Sequence, residues 1–335
     1  MSAERAPSKR KMKIWLKVAV SFGLFALLFA ILPWDDVRTA VSRMSLPVWL
    51  AVLLGFIAGH RLGVEKWRML VNAGRASLRD ADAVRCYAAG LFANLCLPSI
   101  IGGDVLRAAL ATRATGRAEA TVLGSVADRV LDIATMAILI AIGGFLARDA
   151  LPGWSANVVA VALFAGVLVG AIALPLAVRR PLASWPRKLR RPIGRSLVAL
   201  RYLARSPRTA LAASAISIAT QSGFVLLNAW IGHAIGITIP LAVWFFVWPL
   251  AKVAGLVPIS LGGLAVRDAT FGALLVPVGV PLALGVVASL IWQSVNIIGG
   301  LLGGLLWWVM SRRRGESTVP VRRRTVTPTV AGERG

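Results

Sequence analysis

The sequence predicts an all-α polytopic membrane protein: six full transmembrane helices plus two re-entrant helix pairs, arranged as an inverted internal repeat. Three observations predict it. The 335 residues are 57% hydrophobic, with a mean hydropathy of +0.75. The apolar residues fall in runs long enough to cross a bilayer. The 38 Lys+Arg and 14 Asp+Glu are distributed unevenly between those runs. A net charge of +24 would, by itself, suggest a nucleic-acid partner. So apolar a chain excludes that class, and it excludes disorder over most of the length, which requires low hydrophobicity.

Residues 1–13 read as a basic cytoplasmic tail, and 14–310 as a single transmembrane domain. The first apolar run, 14–32, has no small-residue cleavage site after it and is read as a retained span. Further full spans are predicted at 46–66, 120–147, 155–178, 209–235 and 281–309. Two other apolar stretches, 83–115 and 240–277, are interrupted by a proline and a glycine pair. Charge decides how they are placed, because cytoplasmic loops carry excess Lys and Arg. Residues 179–208 hold ten basic residues and no acid. The first 17 residues hold six, the segment from Ser311 seven, and 64–88 five, with Arg113 and Arg117 beside them. All lie on one face only if each broken stretch returns to the side it left. That face then carries 30 of the 38 basic residues and a balance of +23. Both termini are thereby placed in the cytoplasm of a bacterial inner membrane. Within the basic segment 179–208, residues 187–205 read either as an amphipathic helix on the anionic leaflet or as a plain positive loop. Residues 311–335 read as a disordered basic cytoplasmic tail.

Shifting the sequence by 160 positions aligns 45–147 with 205–307. Pro98 falls on Pro258, Gly102-Gly103 on Gly262-Gly263, Arg107 on Arg267 and Pro47 on Pro207. The P-x-x-x-G-G-x-x-x-R cluster sits at the break of both interrupted stretches. Three crossings between the copies make the second one inverted, an arrangement that many alternating-access transporters use.

Once the loops are subtracted, the membrane keeps Arg61, Asp104, Arg107, Asp128, Arg129, Asp132, Lys252, Arg267 and Asp268. A charge at the bilayer centre costs about 3 kcal/mol or more, so such residues face a cavity or a partner. His60, Gln221, Gln293 and Asn296 are expected to add polar lining. A helix beginning at the Gly pair presents N–H groups and a positive dipole end to an anion, with Arg107 one turn in. Gly262, Gly263 and Arg267 repeat this. The substrate-binding candidates are therefore Arg107, Arg267, Gly102, Gly103, Gly262, Gly263, Asp104 and Arg61, with Pro98 and Pro258 as helix breaks. Asp104 is a candidate N-cap and Asp268 a partner for Arg267. Asp128, Arg129, Asp132, Lys252 and Asp268 are structural or coupling charges.

Asp128 and Asp132 share a helix face at i and i+4. The spacing is similar to the aspartate-rich motif of intramembrane prenyltransferases, but the aligned second-copy positions are Ala288 and Trp292. A salt bridge to Arg107 or Arg61 is the expected role, and no metal or other cofactor is predicted. No Ser–His–acid or Cys–His set appears, so the chain is not read as an enzyme. Cys86 and Cys96 are expected to be buried free thiols.

Leu97 to Arg107, Ala127-Asp128-Arg129 and Pro258 to Gly263 with Val266-Arg267-Asp268 resemble the flippase-like family named for the transmembrane region of lysylphosphatidylglycerol synthases. The resemblance covers roughly 14–310. It implies translocation of an anionic or aminoacylated phospholipid, or a polyprenyl-linked lipid, between leaflets. Membrane lipids are then the partners, and a lipid-modifying enzyme is a candidate second partner. No aminoacyl-transfer domain is expected after Ser311, so lipid synthesis is not implied. The second motif has Leu264-Ala265-Val266 and Asp268 where the family has a Gly and a Glu. The alternatives are a secondary transporter of a small anionic solute and an intramembrane lipid-phosphate transferase using D-x-x-x-D. The sequence leaves the oligomeric state open.

Overall fold

The computed structural model describes residues 34–96, 102–151, 205–255 and 264–312. They form nine α-helices, a short 3-10 turn and no strand. The predicted spans at 14–32 and 155–178, most of 179–208, including nearly all of the segment 187–205 read as either an amphipathic helix or a loop, and the tail beyond Arg312 lie outside the described residues.

A short amphipathic helix, α1 (Trp34–Arg43), precedes α2 (Leu46–Asn72). Pro47 occupies the first turn of α2, where its missing N–H costs nothing. The helix ends in a tight loop. There Arg75 and Ser77 have positive φ, and the Asn72 side chain both donates to the Leu78 carbonyl and accepts from the Leu78 N–H. The chain continues as α3 (Asp80–Cys96), α4 (Gly102–Thr115) and α5 (Ala118–Leu146). The second set comprises α6 (Pro207–Ala234), α7 (Leu241–Ala254), α8 (Leu264–Leu275) and α9 (Leu282–Arg312). Pro207, the counterpart of Pro47, likewise occupies the first turn of its helix.

Four helices, α2, α5, α6 and α9, are long and apolar enough to cross a membrane. At 1.5 Å per residue they measure roughly 40–46 Å. The helices of the interrupted stretches measure only roughly 18–25 Å, short of a hydrocarbon core of about 30 Å. Lengths and order recur: long, short, short, long, twice over.

The packing recurs with the sets exchanged. Helix α2 lies along α6, its counterpart, with Gly55 and Gly59 of α2 against Leu227 and Phe224 of α6. The short helix α3 packs on α9 through Gly300, Gly303 and Gly304, while α7 packs on α5 through Gly143. The first short helix of each set thus rests on the last long helix of the other set, while the second short helix, α4 or α8, packs on the last long helix of its own. Within each pair the chain folds back, α3 on α4 and α7 on α8. The apolar centre is walled by Phe56, Phe224, Trp244, Trp248 and Trp292.

Cys86 is buried, as expected, but Cys96 is exposed. It is the last residue of α3.

Candidate functional site

A cavity of about 630 Å³ lies where the two sets of helices meet. Every helix from α2 to α9 contributes to its wall. Five cations, Lys66, Arg107, Arg129, Lys252 and Arg267, and three carboxylates, Asp104, Asp128 and Asp132, line it. Much of the remaining wall is aromatic and amide, with Phe56, Tyr87, Phe224, Trp248 and Trp292 and with Asn94, Gln221, Gln293 and Asn296, and Leu91, Leu95, Ile297 and Leu301 add an aliphatic part. The expected polar lining by His60 and the three amides at 221, 293 and 296 is therefore present.

Six of the charges alternate in one chain. Arg129 donates to Asp104, with Nη2 at 2.7 Å from Oδ1. Asp104 also meets Arg107 at 3.2 Å. Arg107 Nη2 donates to Asp128 Oδ2 at 2.7 Å. Asp128 Oδ1 lies 3.0 Å from Lys66 Nζ, and Lys66 also donates to Asp132. Asp132 finally accepts from Ser217 Oγ at 2.8 Å, and Ser217 in turn accepts from Thr135 Oγ1. The chain ties α2, α4, α5 and α6 together. Its middle is deeply buried: the Lys66, Arg107 and Asp128 side chains are 3–4% exposed. The Arg107 guanidinium also lies 5.1 Å from the ring centroids of both Trp67 and Tyr87. Isolated ions at this depth would be prohibitive, and alternation supplies each with a neighbour of opposite sign.

The expected bridge from Asp128 to Arg107 is present. Lys66 is the unforeseen member. The sequence reading places it among the cytoplasmic charges of 64–88, but α2 runs unbroken to Asn72 and buries it. Its signal is the stripe Gly59, Gly63, Lys66 and Leu70, at helical spacing on one face. The ammonium of Lys66 stands between the two carboxylates of the D-x-x-x-D pair, the place a divalent ion would take. No group of three or more metal-ligating side chains is found among the described residues.

Arg61 requires a correction. It is outside the cavity wall, its side chain half exposed, donating to Asp80 Oδ1 at 2.9 Å. One residue past His60 the helix has turned by about 100°, which carries Arg61 off the cavity face. Asp104 also differs from expectation: it is not an N-cap. Helix α4 starts at Gly102, and Asn94 Oδ1 accepts the Gly103 N–H at 3.0 Å. Gly102 and Gly103 open α4 as predicted. A Cβ on Gly103 would collide with the Gly90 carbonyl and the Asn94 side chain, so glycine permits α3 and α4 to approach this closely. Pro98, Pro258, Gly262 and Gly263 lie outside the described residues.

In the second set, Arg267 stands in the first turn of α8, bonded to Asp268 at 2.7 Å and to Gln293 Oε1 at 2.9 Å. Asp268, 1% exposed, also accepts from Ser289. Lys252, in the last turn of α7, donates to Gln221 Oε1 at 3.0 Å and lies 4.8 Å from the Trp248 ring. No carboxylate among the described residues comes within ion-pair distance of it. The cavity therefore has a self-neutralised charged wall from the first set. Its opposite wall is largely aromatic and carries one cation, Lys252, that no carboxylate among the described residues compensates.

No curated protein and no solved structure matches the chain. A family model does, over residues 14–304 of the 335. The chain belongs to the family of the lysylphosphatidylglycerol synthase TM region.

Proposed function

We propose that this protein is a lipid translocase of the bacterial inner membrane. It moves a lipid with an anionic headgroup between leaflets without chemically changing it. The observation that carries the reading is the charged cavity between two sets of helices that exchange their packing. A headgroup lodges there while its acyl chains stay in lipid. Family membership points the same way, since the family takes its name from a membrane domain of lipid metabolism.

In this reading the two sets are inverted repeats and the short pairs α3–α4 and α7–α8 are re-entrant. Both termini are cytoplasmic. Rocking one set against the other exposes the cavity to each side in turn. The N-terminus of α4 and Arg267 beside the start of α8 face the headgroup. Arg107 acts through the ion chain rather than by direct contact, because two carboxylates already hold it. A lipid-modifying enzyme acting upstream or downstream is a compatible partner. The transferase alternative loses ground because Lys66 occupies the carboxylate pair.

Reconstitution into liposomes containing labelled lipids tests this. Anionic lipid should cross faster than in protein-free vesicles. Equal rates overturn the reading, and uptake of a water-soluble anion in place of lipid would make the protein a solute carrier.

A further inference from the structure

We propose that the cavity selects a lipid whose headgroup carries one phosphodiester charge and a hydroxylated substituent, with the phosphate held by Lys252. The proposal rests on the translocase reading and narrows it to a substrate class.

Charge is the first argument. Arg129, Asp104, Arg107, Asp128, Lys66 and Asp132 cancel in their alternating chain, and Arg267 cancels against Asp268. Lys252 remains. A single negative charge makes the loaded cavity neutral. A phosphomonoester, with nearly two, leaves it negative. A zwitterionic or cationic headgroup leaves it positive. Uncompensated charge is strongly disfavoured within a bilayer, so the neutral complex is the one best suited to cross.

The setting of Lys252 is the second argument. An ammonium has three donors, and Gln221 takes one. The Trp248 and Phe224 rings, 4.8 and 5.7 Å away, stabilise the charge without consuming the others. Lys252 thus keeps donors for a ligand. Arg107, by contrast, already has its charge shared by two carboxylates at Nη2, although its buried Nε has no partner among the described residues.

The third argument concerns uncharged polar atoms. Gln221 gives its carbonyl to Lys252, Gln293 to Arg267 and Asn94 to the Gly103 N–H. Each side chain therefore keeps an amide NH2 without a partner among the described residues. Beside Gln221, Thr220 is 8% exposed, and its hydroxyl is buried with no hydrogen bond. Such groups discriminate strongly for a ligand that pairs them and against one that does not. Neutral donors and a hydroxyl match a polyol, a glycerol or a sugar. The touching rings of Phe224, Trp248 and Trp292 offer its carbon skeleton an apolar face.

The test uses the full chain in liposomes with acyl-labelled lipids that differ only in headgroup. Phosphatidylglycerol has one charge and hydroxyls, and phosphatidylmethanol one charge and none. Phosphatidic acid carries nearly two charges, and phosphatidylethanolamine is zwitterionic. Phosphatidylglycerol should move at least tenfold faster than phosphatidylethanolamine or phosphatidic acid, with phosphatidylmethanol between. K252M should remove most of the phosphatidylglycerol advantage and K252R should keep part of it. T220V should slow phosphatidylglycerol but not phosphatidylmethanol. Wild-type movement of all four lipids at one rate overturns this proposal and leaves the translocase standing. So does K252M with wild-type selectivity. No movement of any lipid overturns both. The headgroup panel needs only the wild-type chain, so a poorly folding variant does not blunt the test.

Discussion

Lys66 Nζ lies 3.0 Å from Asp128 Oδ1, both side chains almost fully buried, on helices α2 and α5. A lysine twenty residues into a membrane helix is costly unless it is paired, and here one ammonium serves two carboxylates. Replacing it breaks the alternation at its deepest point. Lys66→Met should destabilise the protein by about 3–5 kcal/mol, the usual effect of orphaning a buried charge. Adding Asp132→Asn should return part of that loss, since it removes one of the two carboxylates left behind. Thermal melting of the purified protein in detergent reads both. An unchanged melting temperature for Lys66→Met would mean that the ion chain contributes nothing to stability.

Arg107 and Arg267, equivalent by the 160-residue shift, should separate in their effects. Arg107 is shared by Asp104 and Asp128 and is 4% exposed. Arg107→Ala should cost about 3 kcal/mol in stability, and its transport defect should shrink when measured well below the melting temperature. Arg267 is more exposed, at 19%, and has one carboxylate partner. Removing that ion pair as a unit, with Arg267→Gln and Asp268→Asn together, should leave melting within a few degrees yet slow lipid movement about tenfold. Comparing melting and transport for both variants decides this.

The approach of α3 to α4 gives a prediction about packing. Gly103→Val places a branched side chain against the Gly90 carbonyl and Asn94. The expected loss is about 1–3 kcal/mol from overpacking. Asn94→Ala removes the acceptor for the Gly103 N–H and should cost about 1 kcal/mol. The two losses should not add, because both act on the same N–H and the same contact. A double-variant cycle by thermal melting checks it.

Orientation has its own test. In a chain whose Cys86 and Cys96 are replaced, a cysteine at position 195 should react only with a probe on the cytoplasmic side. One at Asp149, whose side chain is 92% exposed, should react only from the opposite side. Labelling of 195 from the periplasm would reverse the orientation taken from the charge distribution.

The four long helices were legible because continuous apolar runs of this length have few alternatives. The interruptions were legible because proline and paired glycines leave backbone groups that must be satisfied inside protein. The bridge from Asp128 to Arg107 followed from i and i+4 spacing and the shortage of other partners. Lys66 was not legible in the same way: Glu65, Arg68 and Arg75 surround it in sequence, and only an unbroken α2 separates it from them in space. Arg61 failed for the converse reason. It closes an apolar stretch and falls within the predicted span, but a single residue of helical rotation puts it outside the cavity. The rings of Trp248 and Trp292 could not be distinguished from ordinary core until the two sets of helices were brought together.

The exchange of short helices between the two sets has a consequence for how the chain is made. Helix α3 finds its full cover only in α9, the last helix described, more than half the chain later. During synthesis helices α2 to α5 can assemble their ion chain, yet the α3–α4 pair must wait with one flank uncovered. The cavity gains Trp292, Gln293 and the rest of its α9 wall only when that last described helix is made, so a ribosome-bound intermediate would already hold its ion chain but lack one side of the cavity.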